Sequence, residues 1–368
     1  MTENYRSSRS VVEYANHFAH KIRGRLKRSP IVSMSKEVGI VTVTRFASEF
    51  LYEPILNDIL PRFHEGKAGL LTQTNEEAVI MLAMLRKHGI NAKLIQSADG
   101  FNFSALAEVR YFLRQLELTV TTPVIPDESW FAAKKRTITK YKGSTSLGYL
   151  ERCLQIFEKT VRTKYHTDFK EFVYESSIED FCDTEGAGIT VSTIHKSKGR
   201  EYDNVYMMVS DNFKLNNDQL RRYYVGLTRA KKNLYIYTGS SCFDGGPSSV
   251  KYRFDSSEYT MPGEIVLQLT HKDVVLSYFT SRKKAVLALK GGDELDYNDG
   301  YLYPHGMQKA VAKLSAKMLE RMTMWESKGY MVHSASVRFI VAWKAKDAPR
   351  EETETAVLLP ELTLKKTQ

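Results

Sequence analysis

Three short segments carry the residues of this chain that could do chemistry. Asn4-Tyr-Arg-Ser-Ser opens a predicted helix, residues 191–205 join a predicted strand to a helix through a basic turn that contains Gly199, and residues 221–236 run from a helix into a strand. Arg6 and Arg229 could stabilise the negative charge that spreads over the oxygens of a transferred phosphoryl group. A planar, permanently charged guanidinium matches phosphate geometry better than lysine does. The alternative for each arginine is a surface salt bridge.

The elements that must position these segments alternate between helix and strand. The apolar periodicity predicts helices over 4–28, 45–63, 75–87 and 218–231, and strands at 39–43, 69–72, 92–95, 188–194, 204–209 and 233–237. The clearest unit runs from residue 69 to residue 95, where Asn75 can cap the helix and Gly89 can end it. A strand–helix–strand unit joins parallel strands. The sequence therefore predicts an α/β fold with a parallel sheet.

A helical, basic stretch from about 115 to 186 interrupts this alternation and is predicted to be an insertion. Pro123 and Pro126 mark its entry, and Lys and Arg residues cluster between 134 and 142. Trp130, Phe131 and Tyr141 lie among these charges. Interleaved aromatic and basic residues suit nucleic-acid contact, and a solvated helical face is the alternative.

The region after residue 240 differs in composition from the region before it. Ser, Gly and Pro between 241 and 250 predict a linker. Residues 251–368 are predicted to form a small accessory domain of mixed α+β type, with an open barrel as one form. Its predicted strands are 265–269, 337–343 and 356–359, and its predicted helices are 272–289 and 307–328. Tyr301, Tyr303 and Trp343 could form a stacking surface or pack in the core.

The three segments resemble motifs IV, V and VI of the UvrD, Rep and PcrA helicases of superfamily 1, in that order. The resemblance covers roughly residues 1–240, interrupted by the insertion. It implies the second RecA-like domain of the P-loop NTPase type. In that family ATP with Mg²⁺ binds between two such domains, and the first domain carries the Walker A and Walker B motifs. The predicted insertion is much shorter than the accessory domain of UvrD or Rep.

The resemblance also implies a role for individual side chains. It places Arg6 and Arg229 at the γ-phosphate, Tyr5 against the adenine, Glu201 at the ribose hydroxyls, and Gly199 in the nucleotide-binding turn. The alternatives are core packing for Tyr5 and an exposed glutamate at a helix start for Glu201. The resemblance further implies single-stranded DNA contacts by Thr193, His195, Lys196 and Lys198. A lone histidine is more often a satisfied core residue, and Lys231 and Lys232 suit a solvated face.

Composition limits the classes of protein to which the chain can belong. The net charge of +10 and pI near 9.2 suit a polyanion partner. No run approaches the roughly 20 apolar residues of a membrane span, and the polar start lacks a secretory signal. Cys153, Cys182 and Cys242 lie far apart without a metal-ligand spacing, so we expect neither zinc nor disulfides. These features predict a cytoplasmic protein.

A Walker A loop and its acid pair are absent from the sequence. Gly66-Lys67 lacks the earlier glycine and is followed by Ala68. We therefore expect a fragment of a longer ATP-dependent helicase, inactive as an ATPase by itself. The expected partners are single-stranded DNA, a duplex junction and the N-terminal RecA-like domain of the same parent, with translocation 3′ to 5′ by family analogy. The rival interpretation is a non-catalytic nucleic-acid-binding or scaffold protein that keeps the helicase-like fold.

Overall fold

The computed structural model describes residues 3–24, 29–62, 66–95, 101–119, 122–182, 188–210, 215–344 and 354–367. Contacts divide the chain into two compact units. The first unit comprises Met1–Ile95 and Thr184–Pro262, and the second comprises Gln96–Asp183 and Gly263–Gln368. Each unit is therefore built from two separate stretches of the sequence.

The first unit is an α/β structure around a parallel sheet. Its strands are β1 (Glu3–Asn4), β2 (Val32–Ser33), β3 (Ile40–Phe46), β4 (Ala68–Thr72), β5 (Ala92–Leu94), β6 (Ile189–Thr193), β7 (Tyr202–Val209), β8 (Ala230–Thr238) and β9 (Lys251–Asp255). Its helices are α1 (Arg9–Ala19), α2 (Tyr52–Ile59), α3 (Asn75–Lys87) and α8 (Asn217–Leu227). Within the described residues, seven strands pair in the order β5-β6-β4-β7-β8-β3-β9, all parallel. Strands β1 and β2 form a separate parallel pair.

The strand–helix–strand unit predicted over 69–95 is confirmed. Every residue of β4 is buried, as expected for a central strand covered on both faces. The cap of helix α3 is Thr74 and not the predicted Asn75, which is the first residue of the helix. The Thr74 hydroxyl accepts from the Glu77 backbone N–H, and the Glu77 carboxylate accepts from the Thr74 N–H, which completes a capping box. The core beneath the sheet contains Tyr14, Phe18, Val43, Val205, Met207, Leu234, Ile236 and Phe243.

The predicted linker at 241–250 is instead part of the first unit. Phe243 is fully buried and stacks on Phe18 at a ring-centroid distance of 5.3 Å. The Tyr14 hydroxyl donates to the Phe243 carbonyl at 2.7 Å. Strand β9 then adds to the sheet beside β3. The unit therefore extends to Pro262, because a loop rich in Ser, Gly and Pro is anchored by one buried aromatic side chain.

The second unit combines the predicted insertion with the predicted accessory domain. Its helices are α4 (Ala107–Thr119), α5 (Asp127–Lys140), α6 (Leu147–Thr160), α7 (His166–Glu175), α9 (Lys283–Leu287) and α10 (Ala316–Ser327). Its strands are β10 (Glu264–Gln268), β11 (Glu294–Asn298), β12 (Tyr301–Pro304), β13 (Ala312–Lys313), β14 (Tyr330–Trp343) and β15 (Thr355–Lys366). In the described part of the chain these six strands form a curled, antiparallel half-barrel in the order β10-β15-β14-β11-β12-β13. Register shifts between β14 and β15 accompany the curvature.

The two stretches of the second unit contact each other directly, so the predicted boundary between an insertion and a separate accessory domain is not observed. Leu106 forms a β-bridge with Val341, and the Thr145 N–H donates to the Gly291 carbonyl at 3.0 Å. The helices predicted at 272–289 and 307–328 are shorter than expected. A 3₁₀ turn at Leu276–Arg282 precedes α9, and strand β13 precedes α10.

The aromatic residues of the basic stretch do not form the predicted nucleic-acid surface. Trp130 is fully buried, and its indole N–H donates to Glu158 at 2.8 Å. Tyr141 is buried as well, and Phe131 is exposed. Trp130 packs on Phe112, Phe157 and Phe169, and these rings form the core among the helices of the second unit. None of the described helices has the length and apolar composition to cross a membrane.

Candidate functional site

The Asn4–Ser8 segment is attached to the start of β8 by side-chain hydrogen bonds. Asn4 Oδ1 accepts from the backbone N–H of Arg6 at 2.9 Å and of Ser7 at 2.8 Å, which fixes a tight turn. The Ser7 hydroxyl donates to the Ala230 carbonyl at 2.9 Å, and the Ser8 hydroxyl donates to the Lys232 carbonyl at 2.8 Å. The polar residues of this segment therefore position Arg6.

A glycine makes this attachment possible. Gly39 has a φ of +71° and precedes β3. A Cβ at this position would lie 2.1 Å from Ser8 Oγ and 2.2 Å from the Lys232 carbonyl oxygen. Both distances are far inside van der Waals contact, so any side chain here would push the Asn4–Ser8 segment away from β8.

Arg6 contacts residues from both of the other motifs. Its Nη1 donates to Glu201 Oε1 at 2.9 Å, and its Nη2 donates to the Thr228 carbonyl at 2.7 Å. Lys231 Nζ lies 3.5 Å from the other carboxylate oxygen of Glu201. The side chains of Arg6 and Glu201 are about one third exposed, at 35% and 34%. The three segments therefore meet at the amino ends of β7 and β8. We call the residues that meet there the amino-edge cluster: Arg6, Glu201, Thr228, Arg229 and Lys231.

The charges of the amino-edge cluster change the pKa of its members. Partial burial raises the pKa of Glu201, but hydrogen bonds and positive charge from Arg6 and Lys231 outweigh it, and the pKa lies below its usual value. Burial lowers the pKa of Arg229, and the charge of Arg6 lowers it further. Arginine nevertheless stays protonated because its pKa is so high. The cluster therefore holds one carboxylate against three cations.

Arg229 is held by acceptors of its own unit. Its Nε donates to the Val225 carbonyl at 3.0 Å, Nη1 donates to the Arg200 carbonyl at 3.3 Å, and Nη2 lies 3.4 Å from Thr228 Oγ1. A guanidinium has five N–H groups. Among the described residues these bonds use one N–H from each nitrogen, so one N–H remains on each terminal nitrogen. These remaining N–H groups can donate to the oxygens of a phosphate group.

Two local features of the backbone lie close to Glu201 and Arg229. The register between β7 and β8 shifts between Tyr202 and Asn204, so that the strand beginning at Ala230 has one extra residue. Gly226 lets α8 approach β7, because a Cβ there would lie 2.7 Å from Met207 Sδ. Arg229 follows immediately after this helix. Because Tyr202 pairs with Ala230, the residues that precede them, Glu201 and Arg229, lie at the same edge of the sheet.

Tyr5 and Gly199 are the exposed parts of the predicted nucleotide site. The Tyr5 side chain is 73% exposed, and its hydroxyl donates to Glu3 Oε2 at 2.7 Å. This carboxylate raises the pKa of Tyr5. The alternative of core packing for Tyr5 is thus wrong. Gly199 has a φ of +84° with open space around its Cβ position, so conformation and not crowding explains the glycine.

The residues predicted to contact DNA lie at the opposite edge of the sheet. Thr193 ends β6, and His195 begins a 3₁₀ turn that runs to Ser197. His195 and Lys198 are exposed, so the alternative of a core histidine is wrong. Lys196 Nζ donates to Asn75 Oδ1 at 2.8 Å, and the Lys196 N–H lies 3.4 Å from Thr193 Oγ1. The structure therefore separates these residues from the amino-edge cluster.

A hydrogen-bonded network next to this turn was not predicted. Glu77 Oε2 accepts from the backbone N–H of Gln73 and Thr74, and the Ser210 hydroxyl lies 3.0 Å from Glu77 Oε1. Gln73 Nε2 donates to the Tyr223 hydroxyl at 2.8 Å. We call Gln73, Thr74, Glu77, Ser210 and Tyr223 the carboxyl-edge network. The Thr-x-x-Glu spacing of a capping box was its one sequence signal.

Comparison with protein families identifies the segment that carries most of these groups. Residues 188–237 match the model of the UvrD-like helicase C-terminal domain. This segment of the chain is similar to a UvrD-like helicase C-terminal domain. The matched span of this domain contains Thr193, Glu201 and Arg229, while Tyr5 and Arg6 lie outside it. The prediction of a UvrD-type helicase C-terminal half is thereby confirmed.

Two solved structures have a weak likeness to the chain. One is the C-terminal domain of a possible DNA helicase from Lactobacillus plantarum WCFS1, at 10% identity and a TM-score of 0.34, covering 68% of this chain and 98% of the other. Another is VirB4 of Thermoanaerobacter pseudethanolicus, at 11% identity and a TM-score of 0.24, covering 77% and 91%. No curated protein sequence matches the chain.

Proposed function

We propose that the first unit is the second motor domain of an ATP-dependent DNA helicase. The observation that carries the proposal is the amino-edge cluster, in which two arginines from distant parts of the sequence meet one carboxylate. In this proposal ATP with Mg²⁺ binds between the cluster and the N-terminal RecA-like domain of the parent protein. Arg6 and Arg229 stabilise the charge that develops on the transferred phosphoryl group.

The side chains of the cluster suit such a ligand. Arg229 retains an N–H on each terminal nitrogen for phosphate oxygens, and Tyr5 presents a ring that is mostly exposed for stacking on a base. Glu201 is already bonded to Arg6 and Lys231, but a carboxylate has about four acceptor positions. Ribose hydroxyls can therefore donate to Glu201 without displacing either cation. ATP supplies a phosphoryl group whose transfer to water releases free energy.

The Arg6–Glu201 pair gives this site a simple way to respond to phosphate. Glu201 holds Arg6 at the edge of the sheet while the Thr228 carbonyl accepts from its other terminal nitrogen. A phosphate group carries more charge than one carboxylate and competes for the same guanidinium. We propose that Arg6 transfers to the phosphate, which frees an oxygen of Glu201 for the ribose.

The chain between the two edges offers a path for coupling. Residues 194–201 connect the exposed His195 turn at the end of β6 to Glu201 at the start of β7. We propose that single-stranded DNA contacts Thr193, His195, Lys196 and Lys198 at this turn. We further propose that residues 194–201 transmit the effect of nucleotide binding to the bound DNA. Translocation 3′ to 5′, unwinding at a duplex junction and a cytoplasmic location belong to this proposal.

The experiment is ATP turnover by the chain mixed with the N-terminal motor domain of its parent. For Arg229→Ala we expect turnover to fall by about a thousandfold or more, the usual effect of losing an arginine finger. Arg222→Ala is the matched control, because Arg222 is exposed on α8 and makes no contact with the cluster. Its turnover should stay within about twofold of the wild type, since isolated surface charges contribute little.

Two results would contradict the proposal. Full turnover in Arg229→Ala would remove this arginine from the reaction. Robust turnover by the chain without its partner would show that the site is complete without a second motor domain. Strand binding without any turnover in the mixture would favour the non-catalytic nucleic-acid-binding protein.

A further inference from the structure

A basic groove in the second unit is not part of the motor domain. It lies between α4, the C-terminal end of α5, α7, α9 and the paired strands β14 and β15, and encloses about 430 Å³. Its apolar floor includes Leu113, Ile340 and Val341. Five cationic side chains and two carboxylates line the groove, a net charge of +3. A concave site with this excess of positive charge suits an anionic ligand.

The two carboxylates of the groove are already engaged. Arg110 pairs with Glu354, and Lys170 Nζ lies 2.8 Å from Glu117 Oε1. Lys283 Nζ donates to the Glu354 backbone carbonyl at 2.7 Å. These contacts account for both negative charges and for three of the five cations.

Arg114 and Lys140 are the remaining cations, and neither has a carboxylate partner among the described residues. Burial lowers the pKa of Lys140, and the nearby charge of Arg114 lowers it further. Two cations that repel each other across a groove are stabilised when an anion binds between them.

Tyrosine rings lie beside these cations. Lys140 Nζ is 4.1 Å from the ring centroid of Tyr111 and 5.3 Å from that of Tyr141. Tyr174 also lines the groove and is 49% exposed. Phosphate-binding cations next to exposed aromatic rings are the combination by which proteins hold single-stranded nucleic acid.

We propose that this groove binds a segment of single-stranded nucleic acid, with Arg114 and Lys140 on its phosphates and Tyr174 stacked on a base. The groove is built from residues of the second unit, whereas the amino-edge cluster and the His195 turn consist of residues of the first. It would therefore give the chain a second strand contact that does not depend on ATP.

The test is photo-cross-linking of the full chain to an oligothymidylate that contains 4-thiothymidine, followed by identification of the modified peptides. We expect modification of the peptides that carry Tyr111 or Tyr174. Unlabelled oligothymidylate should remove it, whereas thymidine monophosphate and polyglutamate at the same charge concentration should not. Equal competition by the monophosphate would assign the groove to a free nucleotide, and equal competition by polyglutamate would assign it to an acidic peptide. Either result would overturn the proposal.

Two double variants distinguish the effect of the groove residues on cross-linking from the effect of the overall positive charge. Arg114→Gln with Lys140→Gln should reduce groove cross-linking by about tenfold, because both phosphate contacts are lost. Lys159→Gln with Arg162→Gln removes the same charge from exposed positions outside the groove and should leave cross-linking within about twofold. Equal loss in both pairs, or no loss in the first, would refute the assignment. Far-UV circular dichroism checks the fold of each variant.

The effect of Tyr174 tests stacking separately. Tyr174→Ala should weaken groove cross-linking about fivefold or more, and Tyr174→Phe should restore it, because stacking needs only the ring. Failure of Phe to restore it would exclude stacking. Cross-links on the His195 turn report the proposed motor function independently. Their absence would count against that function and not against the groove.

Discussion

The two edges of the parallel sheet in the first unit hold polar residues in different ways. At the amino edge, Arg6 reaches Glu201 and Thr228 across almost the whole length of the unit's sequence, and charged groups bond to each other and to backbone carbonyls. At the carboxyl edge, His195 and Lys198 are exposed, while a network around Glu77 is neutralised by backbone N–H groups and hydroxyls.

This difference separates two tasks. In our proposal, charge stabilisation at a reacting group needs donors that are held in place before the reaction, and the contacts of Arg229 with backbone carbonyls provide that. Contact with a moving polyanion instead needs accessible cations that exchange partners easily. The amino edge suits the first task and the turn at the carboxyl edge suits the second. The carboxyl-edge network holds the backbone of Gln73 and Thr74, which follow β4 at this edge.

The largest effect should come from removing the close approach at the amino edge. Gly39→Ala combines an unfavourable φ with a Cβ only 2.1 Å from Ser8 Oγ, so we expect a loss of about 3–5 kcal/mol in the free energy of unfolding. Urea unfolding measures this loss. Gly89→Ala is the control, since Gly89 has a φ of +76° but nothing within 4 Å, and it should cost only about 1 kcal/mol. Equal losses would show that Gly39 matters for its conformation alone.

A smaller effect is expected at the carboxyl edge. Glu77→Ala leaves the N–H groups of Gln73 and Thr74 without their acceptor, which should cost about 2 kcal/mol by the same unfolding measurement. Glu53→Ala removes an exposed carboxylate from the first turn of α2 and should cost no more than about 0.5 kcal/mol. If both variants unfold alike, the carboxyl-edge network does not fix the backbone there.

The smallest effect is the pH dependence of the Arg6–Glu201 pair. The folded pKa of Glu201 is lowered, so the pair stabilises the fold above the unfolded pKa of about 4.3 and loses this effect as pH falls through the folded pKa. The gap in unfolding free energy between the wild type and Glu201→Gln should be under about 1 kcal/mol at neutral pH, because the pair is one third exposed, and should close in acid.

The control for this pH dependence is Glu258→Gln, an exposed carboxylate in the same unit. Its gap to the wild type should not close in the same way. A gap for Glu201→Gln that widened in acid would mean that the carboxylate destabilises the fold. The amino-edge cluster would then lack the ion pair that defines it.

Local patterns predicted the part of the fold that depends on local physics. Helix α3 covers the residues that its apolar spacing and Gly89 indicated, although its cap is Thr74 and not the predicted Asn75. The strands β6, β7 and β8 were found from their apolar runs. The three motifs also identified the residues that meet at the amino edge, although Arg6 and Glu201 are 195 positions apart.

Long-range packing decided what the sequence alone did not indicate. The Ser, Gly and Pro residues of 241–250 resemble a linker, but the buried side chains of Phe243 and Val250 attach the segment to the core. Trp130 lies near lysines in the sequence, yet its side chain is buried while Lys135 and Lys142 are exposed. The union of the insertion with the last hundred residues depends on pairings such as Leu106 with Val341, which no local pattern indicates.

The most direct test of the division between the edges measures two quantities for each variant, ATP turnover and the affinity for single-stranded DNA, which is called strand affinity below. Both are measured with the chain combined with its N-terminal motor domain. Arg6→Ala should lower turnover at saturating strand and leave strand affinity unchanged. His195→Ala with Lys198→Ala should weaken strand affinity and leave turnover at saturating strand unchanged. If each variant lowers both quantities equally, or if the effects are exchanged, the assignment of nucleotide to the amino edge and strand to the carboxyl edge is wrong.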